Sequence, residues 1–298
     1  MSFASELPQY VITGLTTGSI YGMTAIGFTL IYNATGAVNF AQGEFVTYGA
    51  LIAISCVAKG VPVGAAVVVG MGGVMVLAAL LERAAIRPAR RASVITLIII
   101  TIGASMLLRG VAANLWGQDA LPMPSFSGDE PIVLARRGLF SSVSLAPQQV
   151  WVMGVVLVAM VLLWVLGDRT LVGKAIRACA INRRAAQLAG IPVSRMVMLS
   201  FALSGLLGGL AGGIFAPIVM GQYNMGTMLG LKGFAAAILG GMGNPVGAVV
   251  GGLVLGLLEN LSTAVISSGY KDAVAFAVML VVLLTRPSGL LGRRTRTV

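Results

Sequence analysis

Four ionisable residues stand inside or at the edge of long apolar runs, and any chemistry of this chain has to be sought there. Glu44 lies in Asn39-Phe-Ala-Gln-Gly-Glu44, and Glu259 in Gly256-Leu-Leu-Glu-Asn260. Arg109 and Lys232 occupy two other runs. A charge carried into hydrocarbon is costly, so such residues pair with one another or line a pathway. Two acids and two bases permit both outcomes. They can form internal pairs that hold a bundle together, or polar stations along a route for solute. Asn39, Gln42, Glu44 and Glu259 are the candidate pathway or gating residues. Glu44 is only a few residues from an inner connection, a position that suits a cytoplasmic gate.

Catalysis has no such footing. The chain has no His, which removes the commonest general base and metal ligand. Cys56 and Cys179 lie far apart without a CxxC spacing, so neither a zinc site nor a disulfide framework is expected. No GxxxxGK[ST] loop is present, and Gly173-Lys174 lacks both the upstream glycine and the following hydroxyl residue. The chain is not expected to be an enzyme, to bind a cofactor or metal, or to hydrolyse ATP by itself.

The elements that position these residues are set by hydrophobicity. Of 298 residues, 57% are hydrophobic and 10% charged, against roughly 25% charged in soluble domains. The apolar runs fall at about 9–31, 37–57, 63–82, 94–116, 148–166, 197–217, 228–242, 246–266 and 272–285. About 20 apolar residues span a bilayer core as a helix. The pattern predicts an all-α integral membrane protein, a polytopic bundle of eight or nine transmembrane helices, with residues 1–298 forming one domain. The run at 228–242 is short and glycine-rich, and reads as a broken or re-entrant helix. Met1–Glu6 carries no Lys or Arg, so the first run is expected to be a retained span and not a cleaved signal.

Charge sets the orientation. Fourteen of the 20 Lys and Arg residues fall in segments 83–93, 167–196 and the tail from Arg286. Only Lys59, Arg136, Arg137 and Lys271 fall in the alternate connections. By the positive-inside rule the N-terminus faces out and the C-terminus faces the cytoplasm. The net charge of +11 is thereby explained without nucleic acid. The longest outer connection, 117–148, carries Asp119, Asp129, Glu130 and four prolines, and Pro131-Ile-Val-Leu in it reads as a short strand. The longest inner one, 168–196, reads as an amphipathic helix or pair of helices. Ile176, Ala180, Ala185, Leu188 and Ile191 mark its apolar face, Gly190 its C-cap, and Pro192 its stop. It could rest on anionic lipid or dock a cytoplasmic partner.

Forty glycines complete the pattern. The spacing Gly205-x-x-Gly208-Gly209-x-x-Gly212-Gly213 lets helix backbones approach closely. Gly243-Asn-Pro-Val-Gly247 reads as a turn or helix break.

The stretch from Gly14 to Phe45, ending Leu-Ile-Tyr-Asn-Ala-Thr-Gly-Ala-Val-Asn-Phe-Ala-Gln-Gly-Glu-Phe, resembles the N-terminal region of the branched-chain amino acid ABC permeases, LivH branch. Gly173-Lys-Ala-Ile-Arg-Ala through Ala185-Ala-x-x-x-Gly190-Ile resembles the family's cytoplasmic coupling region. Gly233-Phe-Ala-Ala-Ala-Ile-Leu-Gly-Gly-Met-Gly-Asn-Pro-x-Gly-Ala resembles its C-terminal glycine-rich segment. The resemblance covers almost the whole chain in order. It implies the permease subunit of an ATP-driven importer of branched-chain amino acids in the cytoplasmic (inner) membrane. The implied partners are a second homologous permease, two cytoplasmic ATPase subunits that hydrolyse the ATP, an external substrate-binding protein and membrane lipid. Arg177, Arg184, Ala185, Ala186 and Gly190 are the implied coupling residues. In the general coupling motif an acid precedes the two alanines, and here that position is Arg184.

Two other classes fit less of the sequence. A stand-alone secondary transporter or channel accounts for the short run and the buried acids, but has no need of the basic inner helix. An integral-membrane enzyme lacks its catalytic groups. Within the importer reading, urea, short amides and other amino acids are the alternative substrates, because aliphatic residues are abundant everywhere and composition does not choose.

Overall fold

A computed structural model describes residues 3–90, 92–128, 130–135, 143–265, 268–286 and 288–292. Asp129, Arg91, Arg136, Arg137, Arg293, Arg294 and Arg296 lie outside the described residues. The chain is helical nearly throughout. In order come α1 (Phe3–Thr35), α2 (Gln42–Ala58), α3 (Val63–Leu81), α4 (Val94–Trp116), α5 (Pro147–Arg169), α6 (Leu171–Ile181), α7 (Arg183–Leu188), α8 (Val193–Val219), α9 (Met225–Gly240), α10 (Pro245–Val265) and α11 (Lys271–Thr285). Helix α3 runs on through a π-helical turn, Glu82–Ile86. An antiparallel pair, β1 (Ile132–Ala135) and β2 (Val143–Leu145), sits between α4 and α5. The short strand expected after Pro131 is therefore present.

Five stretches among the described residues are long and apolar enough to cross a membrane: Val63–Ile86, Val94–Trp116, Pro147–Arg169, Val193–Val219 and Pro245–Thr263. Helices α2 and α9 are apolar but shorter, and α1 is longer but less uniformly apolar. Thr16, Ser19 and Thr24 on α1 donate to the carbonyls of Ile12, Leu15 and Ile20, at 2.9, 2.7 and 3.0 Å. Their hydroxyls are thus satisfied within the helix, as a medium without water requires.

Glycine sets the packing. On α8, Gly205, Gly209 and Gly213 face α3, while Gly208 and Gly212 face α2. One helix thus carries two small-residue seams. A third seam joins α1 and α10: Gly14, Gly18 and Gly22 lie against the backbone of Val249–Leu257. A Cβ on Gly18 would stand 2.8 Å from both the Gly252 carbonyl oxygen and Leu253 Cα. The buried core runs through these contacts. Helix α4 stands at its edge, with Ile95, Ile99, Met106, Leu107 and Leu115 exposed.

Two boundaries differ from the sequence reading. The run at 37–57 is not one helix: α1 stops at Thr35, and α2 starts only at Gln42. Gly36 takes φ +73°, a left-handed turn that ends α1. Asn39 Oδ1 then accepts from Ala41 N at 3.1 Å. This non-helical connection is largely buried, with Ala37, Asn39 and Ala41 nearly inaccessible. The short run at 228–242, by contrast, is a continuous helix, α9, of 16 residues. It spans about 24 Å at 1.5 Å per residue. The break expected there lies before α2 instead. The Gly243-Asn-Pro segment is a turn as expected: Gly243 has φ +95°. Asn244 Oδ1 accepts from Val246 N and Gly247 N at the start of α10.

Candidate translocation site

The connection before α2 carries the chain back against the middle of its neighbours. Gln42, fully buried, is wedged between α1 and α8. Ser204 Oγ lies 2.5 Å from Gln42 Oε1 and 3.0 Å from the Gly27 carbonyl. Gly27 and Ser204 are interior positions of their helices. Gln42 and Asn39 therefore serve to lock the entry of α2.

Glu44, two residues further on, has different surroundings. Its Oε1 accepts from Ser105 Oγ at 2.9 Å, from Arg109 Nη2 at 3.2 Å and from Arg109 Nε at 3.4 Å. Ser105 and Arg109 are one helical turn apart on α4, so one face of α4 presents both donors. Beside this pair is a cavity of about 150 Å³. Its walls come from α1 (Phe28), the connection (Phe40), α2 (Glu44), α4 (Ile102 to Arg109) and the first turns of α9 (Gly226 to Leu231). The Arg109 side chain is 33% exposed, whereas Glu44 is 1% exposed. Gly43 and Gly226 let α2 and α9 meet backbone to backbone, and Thr47 Oγ1 accepts from Gly226 N at 2.9 Å.

Glu259 belongs to a second cluster. Its Oε1 accepts from Lys232 Nζ at 2.8 Å, and its Oε2 from Tyr21 Oη at 2.9 Å. Lys232 also pairs with Asp272 at 2.6 Å and donates to Tyr21 Oη at 3.2 Å. Lys271 stands 4.0 Å from Glu259. The cluster ties α1, α9, α10 and α11 together. The structure thus brings each acid to one of the two expected bases, Glu44 to Arg109 and Glu259 to Lys232. Glu259 is not among the residues lining the cavity beside Glu44. Among the described residues, no group of three or more Cys, Asp or Glu is placed to hold a metal ion.

Residues 10–283 match the family model described as branched-chain amino acid transport system, permease component. The chain belongs to that family. It is 34% identical to the high-affinity branched-chain amino acid transport system permease protein LivH of Escherichia coli K12, covering 96% of this chain and 95% of that one. It is 32% identical to BraD of Pseudomonas aeruginosa, a permease of the same description, with the same coverage. The ribose import permease RbsC of E. coli K12 matches at 30% over 89% of this chain and 82% of its own length. Among solved structures, PsaBC from Streptococcus pneumoniae in complex with Fab shares the fold, with a TM-score of 0.51 and 15% identity over 96% of both chains. The protein is a multi-pass membrane permease and not an enzyme.

The permease's segment 168–196 is a pair of helices, α6 and α7, hinged at Asn182. Thr170 Oγ1 caps α6 through Gly173 N at 3.1 Å, and Asn182 Oδ1 caps α7 through Ala185 N at 3.0 Å. Gly190 closes the module at φ +79°, as its sequence position suggested. The buried face is Gly173, Ile176, Cys179 and Ala186. It seats on α8 with Met196. Burial pushes the Cys179 thiol above its usual pKa, with Arg183 pulling the other way. That sulfur is a packing group.

The apolar face read from sequence needs correcting. Ala180 points outward because it lies beside the Gly173, Ile176 and Cys179 face of α6, and Ala185 and Leu188 point outward because the break at Asn182 resets the helical phase. Leu188 is 90% exposed and Ile181 87%. Of the five coupling candidates, Arg177, Arg184, Ala185 and Gly190 are exposed. Ala186 is buried, and Arg177 is braced against the Gly167 carbonyl and Asp168 at the end of α5. Arg183 Nη2 donates to the Ala34 carbonyl at 2.5 Å, which fastens α7 to the end of α1. Sequence reasoning missed Ile181 and Leu171. Their signal was two large apolar residues flanking a basic helix.

Proposed function

We propose that the chain is one of two permease subunits of an ABC importer for leucine, isoleucine and valine. In this reading it works with two cytoplasmic ATPases and an external binding protein. It crosses the inner membrane an odd number of times, nine in this reading, with its N-terminus outside and its C-terminus in the cytoplasm, and α6–α7 faces the ATPases. Family membership supplies the class of machine. The observation that carries the coupling role is the outward pair Ile181 and Leu188 on a basic module strapped to both α1 and α5. Large apolar side chains almost wholly exposed on a polar element mark an interface. The straps give that interface leverage. Arg183 reaches the end of α1, and Arg177 the end of α5, so a displacement of the module moves two helices of the bundle. ATP binding can drive such a displacement only if the ATPases bind one state of the module better than the other. Asn39 and Gln42 hold the bend before α2, and Glu44 faces the route for solute. Glu259 holds the bundle.

The test is affinity purification of the tagged chain from mild detergent, with mass spectrometry of what accompanies it. Recovery of a second permease and ATPase subunits from the wild type, with ATPase lost from Ile181→Ser/Leu188→Ser, is the expected outcome. Recovery of this chain alone, with ATP-independent transport after reconstitution, refutes the importer reading. Undiminished ATPase in the double variant refutes the docking role.

A further inference from the structure

The cavity beside Glu44 has chemistry of two kinds on its walls. Its lining includes an acid and a base, Glu44 and Arg109, and large apolar side chains, among them Phe28, Phe40 and Ile102. At about 150 Å³ it is smaller than the usual range of ligand pockets, roughly 300–1,000 Å³. It suits a single small solute and not a peptide.

The ion pair in it is incompletely used. All the Arg109–Glu44 bonds converge on one carboxylate oxygen, Oε1. Glu44 Oε2, though buried, has no well-formed hydrogen bond, the Thr47 hydroxyl giving the carboxylate only a weak contact, and Thr227 Oγ1 on the cavity wall has none either. A guanidinium carries five N–H donors in a fork that fits a carboxylate through two parallel bonds. Arg109 spends only Nε and Nη2, at 3.2–3.4 Å, on Glu44 and Ser105.

We propose that this cavity is the subsite for the charged head of a zwitterionic aliphatic α-amino acid. Arg109 takes the α-carboxylate, Glu44 takes the α-ammonium, and Phe28, Phe40 and Ile102 take the side chain. The inference rests on the amino-acid importer reading and adds the residues that meet the substrate. Charge balance argues for it. A zwitterion entering between Glu44 and Arg109 replaces one ion pair by two, and no charge is left uncompensated. A cation would satisfy Glu44 and strand Arg109, and an anion would do the reverse. Stranding a buried charge is the costly outcome. A neutral sugar or urea would gain nothing from opening the pair. The ammonium has three donors, and Glu44 Oε2 and Thr227 Oγ1 are two acceptors awaiting them. Arg109 is a third exposed, so the pair can open without unpacking the core.

The experiment uses the complete importer in proteoliposomes with its binding protein, and radiolabelled leucine. Glu44→Gln/Arg109→Gln removes both charges together and strands neither. The expected result is an assembly that purifies intact, and a leucine KM raised roughly ten- to a hundred-fold, the range for lost charge-assisted hydrogen bonds. A KM and rate equal to wild type overturn the proposal, because a merely structural pair can be neutralised as a pair. A second measurement covers a double variant that does not assemble. Met106→Cys, with the two natural cysteines replaced, places a thiol at the cavity mouth. Leucine should slow its labelling several-fold, while leucinamide and 4-methylpentanoate, each lacking one charge, should not. Equal labelling with and without leucine overturns the proposal. If the wild-type importer takes up no aliphatic amino acid at all, the importer's substrate reading fails and this subsite falls with it. Normal uptake with an indifferent double variant sinks the subsite alone.

Discussion

Glu44–Arg109 and Glu259–Lys232 are both carboxylate–cation pairs inside the bundle, in two different surroundings. Around Glu259 both oxygens are engaged, by Lys232 and Tyr21, and Lys232 has Asp272 as well. The side chains of Lys232 and Glu259 are 7% and 3% exposed. Around Glu44 one oxygen accepts every bond, and the base is partly open. The helices account for the difference. The Glu259 cluster lies among α1, α9 and α10, which glycine seams draw into backbone contact. The Glu44 pair is completed by α4, which packs at the edge of the bundle and leaves a cavity. A closed cluster holds the bundle together; an open one can exchange partners.

The sharpest way to break this comparison is to remove one base from each cluster. Lys232→Met strands Glu259 and should cost roughly 3–5 kcal/mol. In purified permease this would appear as a large fall in melting temperature or as failure to assemble. Lys232→Met/Glu259→Gln should recover most of the loss. Arg109→Gln should cost less in melting, because Glu44 keeps Ser105 and the cavity admits water, yet it should impair uptake more than any comparable change at the edge of the bundle. Equal thermal costs for the two single variants would erase the distinction.

The glycine seams offer a smaller effect on the same contrast. Gly18→Leu forces side-chain atoms into the α10 backbone, where even a Cβ would sit at 2.8 Å. Overpacking of this kind costs roughly 1–3 kcal/mol. On α4, Gly110 has nothing within 4 Å of an added Cβ. Gly110→Ala should therefore be neutral, or stabilise by roughly 0.5 kcal/mol through helix propensity. Melting curves of the two variants check both halves. A tolerated Gly18→Leu would mean that α1 and α10 are not in contact in the membrane.

How much of this was legible beforehand depended on range. The four buried charges, the α8 glycine pattern, the cap at Gly190 and the turn at Gly243 are local, and composition or spacing exposes them. Which acid meets which base is not local. Glu44 and Arg109 are 65 residues apart, and only the crossing of α2 and α4 joins them. Tyr21 and Asp272 escaped notice as members of the Glu259 cluster for the same reason. The α1–α10 seam escaped because its halves, Gly14 to Gly22 and Gly252 to Gly256, lie at opposite ends of the chain. The helix break before α2 was missed because Ala37, Val38 and Phe40 are apolar, and hydropathy does not register a buried loop. Leu188 falls on the apolar face only if one helical phase continues through Asn182, where α6 ends.

The smallest change tests whether single hydrogen bonds obey the same division. Tyr21→Phe removes the bond to Glu259 together with the longer one accepted from Lys232, and leaves the ring in place. It should cost roughly 1.5 kcal/mol, since the lost partner is a buried carboxylate, and uptake by the assembled importer should be nearly normal. Ser105→Ala removes one bond to Glu44 and leaves α4 otherwise intact. Its thermal cost should be smaller, because the open cavity lets solvent stand in for the hydroxyl. Its effect on uptake should be larger, because Arg109 then holds Glu44 alone and the pair is harder to open. The two variants should thus cross, with Tyr21→Phe the worse for melting and Ser105→Ala the worse for leucine uptake. If both follow the same order, the clusters differ in exposure only, and the cavity beside Glu44 is an imperfection in packing.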